Sequence, residues 1–149
     1  MHREMTLPQR LGAGLAGTAA ITLAHEIAHR VAPEAPRLDV MGMRAIVRGL
    51  RAAGDENLPR GRTVPMLSWA ADLALNSAFY GWAVGRRPGA WLRGALAGLG
   101  AGLAAALLGP RFGLNETTGY HWGRRSAIVA LYALGGAAAG AATRAIVRR

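Results

Sequence analysis

The chain has 149 residues, 52% of them apolar, with 21 glycines, no cysteine and a formal net charge of +10. That length suits one compact unit, and the absence of cysteine excludes disulfides and thiolate metal sites. All 18 basic residues are arginine and they bracket long uncharged stretches, which argues against a nucleic-acid binder and directs the positive charge toward an anionic membrane surface.

The expected fold class is all-α. It is a polytopic membrane protein whose four transmembrane helices form a four-helix bundle, with a short basic amphipathic helix between the first and second. The whole chain, 1–149, reads as a single transmembrane domain. The expected spans are 11–32, 64–84, 91–108 and 126–147, each near the ~20 residues that cross a hydrocarbon core of about 30 Å. Helices are required because backbone polar groups must pair with one another where water is absent.

The first span is uncharged from Leu11 to Ala24. Arg3 and Arg10 ahead of it, and Thr22-Leu23-Ala24 within it, also fit a signal peptide with a weak cleavage site, but a retained span is the preferred reading. Gly12-Ala13-Gly14-Leu15-Ala16-Gly17 spells G-x-G-x-x-G, yet no strand precedes it, so it reads as helix packing. Pro33 and Pro36 end this helix. The linker helix, 41–53, puts Met43, Ile46, Val47 and Leu50 on one face and Arg44, Arg48 and Arg51 on another. A basic helix of this kind lies in the headgroup region or packs on the bundle ends. The Gly54-Asp55-Glu56-Asn57 run terminates it.

The second span is interrupted by Asp72 and Asn76, which form a polar stripe with Tyr80. Trp69 and Trp82 lie toward its ends, and Trp91 and Trp122 open the third and fourth spans, as aromatic belts do. Small residues recur every four positions at Gly94, Gly98 and Gly102, at Gly136 and Gly140, and at Ala13 and Gly17. Such ridges let helices approach closely in lipid. They serve packing within the bundle, the preferred reading, or association with a second copy or another membrane protein. Four spans would put eight arginines on one side of the bilayer and ten on the other, which sets no orientation. A lysine-free chain rich in alanine, glycine and arginine points to a bacterium with a GC-rich genome, and so to its cytoplasmic membrane.

The chemistry-bearing stretch is His25-Glu26-Ile27-Ala28-His29. Residues i and i+4 share a helix face, so His25 and His29 can present two imidazoles to one metal ion, with Glu26 placed to polarise a bound water. A zinc hydrolase needs a third protein ligand and an open position. His25 lies about 10 Å below the membrane surface and Asp72, on the next span, about 12 Å. Glu116 and His121 lie in the loop on the same side.

These five residues resemble the H-E-x-x-H of the intramembrane zinc proteases, the site-2 protease family. The resemblance implies zinc held by His25, His29 and a transmembrane aspartate, here Asp72, with Glu26 as general base. In that family the aspartate comes two spans after the motif; here it comes one span after. The alternative needs no cofactor: His25 or His29 bonds Asp72, Glu26 pairs with Arg30 at i+4, and the cluster of His25, Glu26, His29, Asp72 and Asn76 fixes helix packing. Three functions follow. The preferred one is a non-catalytic structural, assembly or accessory membrane protein. The others are an intramembrane zinc-dependent hydrolase, with catalytic Glu26, and a small ion or solute carrier centred on Asp72 and Asn76. The expected partner is the lipid bilayer and not nucleic acid.

Overall fold

The computed structural model describes residues 5–32, 34–55, 57–59, 61–85, 89–114 and 122–147. Within them the chain forms five helices: α1 (Leu7–Val31), α2 (Leu38–Ala52), α3 (Thr63–Val84), α4 (Ala90–Leu108) and α5 (Trp122–Val147). They fall where apolar periodicity places them, with α1 and α5 starting earlier than expected. At α1 the Thr6 N–H donates to Gln9 Oε1 at 3.0 Å, half of a capping box, and Pro8 sits in the first turn, where its missing N–H costs nothing.

Among the described residues three helices, α1, α4 and α5, are long and apolar enough to cross a membrane. This corrects the expectation of four spans. Helix α3 falls short because Ser68, Asp72, Asn76 and Ser77 dilute its hydropathy.

Close backbone contacts define the packing. Gly14 abuts Ser77 and Gly81 abuts Arg10, so α1 and α3 run antiparallel. Gly94 meets Gly136, Gly98 meets Tyr132 and Gly102 meets Val129, so α4 and α5 are antiparallel too. Helix α5 returns along α1, where a Cβ at Gly17 would lie 2.6 Å from the Gly135 carbonyl oxygen. Helix α2 rests on the start of α3, with Gly42 against Ser68.

The core between these helices is small and partly polar. Ala13, Gly17, Gly94, Gly98, Gly102, Gly135, Gly136, Ala139 and Gly140 are all buried. Tyr80 is fully buried and donates its hydroxyl to the Tyr132 carbonyl at 2.9 Å. Thr18 Oγ1 bonds the Gly14 carbonyl at 3.1 Å and meets Ser77 Oγ at 3.2 Å. Thr143 bonds the Ala139 carbonyl at 3.0 Å. Every ridge glycine named from sequence is thus consumed by a neighbouring helix of the same chain. The expectation of a second copy docking through Gly94, Gly98, Gly102, Gly136 and Gly140 loses its surface.

The large apolar side chains point the other way. Leu23, Ile27, Val31, Leu75, Trp82, Leu96 and Trp122 are all more than half exposed. Water-soluble folds bury such residues and avoid broad apolar surfaces.

Candidate functional site

On α1 the buried stripe of Gly14, Thr18 and Ile21 continues at helical spacing into His25 and His29 near the C-terminal end. The two rings meet edge to face with centroids 4.5 Å apart. Pro36 then turns the chain back, and α2 begins beside the end of α1. His25 Nε2 sits 3.0 Å from the Pro36 carbonyl oxygen and 3.2 Å from the Leu38 nitrogen. As an N–H it donates to Pro36; unprotonated, it accepts from the Leu38 N–H. Either way His25 ties the two helices together. His29 Nε2 is buried and has no hydrogen-bond partner among the described residues.

The turn delivers Asp39, in the first turn of α2, to the histidines. His25, His29 and Asp39 each present a ligand atom within 4.8 Å of the others. Arg37 grips the Asp39 carboxylate through two bonds, Nε to Oδ1 at 3.0 Å and Nη2 to Oδ2 at 2.9 Å. That pairing holds the Asp39 carboxyl below the usual carboxylate range, so Asp39 is an anion throughout the neutral range.

Asp72, the acid that the sequence pairs with the histidines, is not in this group. It accepts a bond from Asn76 Nδ2 at 2.6 Å, and neither His25 nor His29 bonds it. The expected His–Asp72 bond is replaced by the His25 contacts to Pro36 and Leu38, because the backbone of the turn reaches the ring first. Asp72 and Asn76 do share a cavity of about 290 Å³ with His25 and Asp39, between α1, α2 and α3, with Tyr132 of α5 also on its wall. Tyr80, the third member of the α3 stripe, instead points into the core.

Glu26 faces outward and pairs with Arg30 at 2.9 Å, both side chains more than half exposed. This is the i+4 pair expected from sequence. It turns the carboxylate away from the face that carries His25 and His29.

Asp39 was not legible as a site residue because the expected linker helix began at 41. Starting α2 at Leu38 moves Asp39 onto the first turn, where an acid favours the helix dipole. The signal available was the spacing: a proline-closed turn followed by an acid folds back on the last turn of α1.

The three arginines of α2 differ. Arg44 donates to the Leu114 carbonyl at 3.3 Å, Arg48 lies against Gly113, and Arg51 is exposed. The turn after α4 therefore receives part of the basic face. The apolar face of α2, with Met43, Ile46, Val47 and Leu50, is mostly but not fully covered. Glu116 and His121 lie outside the described residues. Comparison of the chain with family models, with curated proteins and with solved structures finds no match.

Proposed function

We propose that this chain is an integral membrane protein with a non-catalytic structural, assembly or accessory role. One observation carries the membrane part of the reading: small residues line the helix contacts and large apolar residues face outward. In lipid there is no hydrophobic force between helices, so close backbone contact drives association and the bulky side chains are left for the acyl chains. Helix α3 fits the same slab, since Met66, Leu67, Leu75 and Trp82 face outward along its length while Ser68 and Ser77 turn to α2 and α1. It lies beside the three apolar helices, and the bacterial cytoplasmic membrane is the expected host. The exposed Arg51 of α2 suits a helix resting among headgroups.

The outward Glu26 weighs against the hydrolase reading, which needs that carboxylate at the histidines. A carrier role keeps one supporting observation, the cavity lined by Asp72 and Asn76. Flux of cations or protons into vesicles, abolished by Asp72→Asn, would establish it over the accessory role.

The membrane reading is tested at Leu96, which is 58% exposed near the middle of α4. An arginine there costs about 2.5–3.5 kcal/mol of insertion if it faces lipid, and almost nothing on a surface facing water. Leu96→Arg should lower the fraction of α4 that spans the bilayer, measured by protease accessibility of its ends in vesicles, while Leu96→Phe should not. Equal behaviour of the two variants would sink the reading.

A further inference from the structure

We propose that the corner between α1 and α2 binds one divalent transition-metal ion of the zinc class, with His25, His29 and Asp39 as ligands and a fourth position opening on the adjoining cavity. Two imidazoles and a carboxylate form a nitrogen–oxygen donor set that such ions favour. The ligand atoms already converge within 4.8 Å. Tetrahedral bonds of about 2.1 Å place donors about 3.4 Å apart, and side-chain rotation closes that difference.

Three features favour a metal over simple packing. His29 Nε2 is buried without a partner, an arrangement that costs free energy unless something binds there. His25 is braced as metal-bound histidines are: with Nε2–H donated to the Pro36 carbonyl, Nδ1 is the nitrogen left for an ion. Asp39 is oriented by its two bonds from Arg37, which serve as the outer hydrogen bonds of a ligating carboxylate. The cavity of about 290 Å³ leaves room for water as the remaining ligand. Asp72 and Asn76 line that cavity without joining the donor set. The bound ion clamps α2 onto the end of α1. This inference rests on side-chain placement and not on the membrane reading, so it survives or fails separately.

The test is metal content of the full chain, purified in detergent without a polyhistidine tag, loaded with zinc and freed of excess. The wild type and Glu26→Gln should each retain about one zinc per chain. His29→Ala and the conservative Asp39→Asn should lose it. Cobalt in place of zinc should give the intense visible absorption of a tetrahedral ion in the wild type, and no such absorption in Asp39→Asn. Circular dichroism of each variant separates loss of ligand from loss of fold. A wild type that holds no zinc overturns the proposal. So does zinc lost in Asp72→Asn and kept in folded Asp39→Asn, which would put the ion on the other acid.

Discussion

Replacing Gly98 by alanine tests the packing most directly, because a built-in control lies two residues away on the same helix. A Cβ at Gly98 would collide with the Tyr132 carbonyl oxygen, and would lie 2.8 Å from the Tyr132 carbonyl carbon and 3.0 Å from the Ala133 Cα. All three are backbone atoms of α5, so no side chain can swing aside. To restore ordinary contact α4 and α5 must separate by more than about 1 Å. A gap of that size forfeits about half or more of the dispersion energy of each contact it opens, and the ridge at Gly94, Gly102 and Gly136 opens with it. Overpacking of this kind costs about 1–3 kcal/mol. At Gly100 nothing lies within 4 Å of the added Cβ, so alanine there gains helix propensity, up to about 1 kcal/mol. The two variants should therefore move in opposite directions in a reversible detergent unfolding titration followed by circular dichroism. Equal midpoints would refute the close α4–α5 packing. A Gly98→Ala chain that keeps its stability but changes its oligomeric state would show that the ridge faces another molecule.

Tyr80→Phe removes the bond to the Tyr132 carbonyl and nothing else; it should cost about 0.6 kcal/mol, the average for a bond between membrane helices, in the same titration, and a stabilised variant would contradict the contact. Glu26→Gln breaks only the exposed pair with Arg30, so stability should change by less than about 0.5 kcal/mol. A large loss would mean that Glu26 turns inward toward the histidines.

The positions of the helices were legible because long uncharged runs broken by Pro33, Pro36 and charged linkers leave few other solutions. The Glu26–Arg30 pair was legible because it is local, fixed by helical spacing alone. That α3 falls short of a fourth apolar span, and that Asp39 joins the histidines, were not. Length singled out α3, while Ser68, Asp72, Asn76 and Ser77 together lower its apolar character. Depth arithmetic paired His25 with Asp72 because both sit about two turns from the same helix ends. Equal depth is necessary for contact but does not fix rotation about the helix axis, and rotation is set by which small residues meet. Gly14 against Ser77 turns the α1 stripe toward α3, yet the histidines that continue it meet the α2 turn first.

The same rotation separates the letters of the H-E-x-x-H stretch. His25 and His29 extend the buried stripe of α1, whereas Glu26 is displaced by about 100° around the helix and joins the outward face with Leu23, Ile27 and Arg30. In a metallopeptidase the metal and the glutamate must both reach one substrate water. Here the cavity that adjoins His25 is walled by Asp39, Asp72 and Asn76, while Glu26 is held by Arg30 on the exposed flank of the helix. A motif match fixes residue types and spacing; the neighbours decide which members share a chamber. The arrangement thus favours an ion that joins α1 to α2 over one that activates water for Glu26.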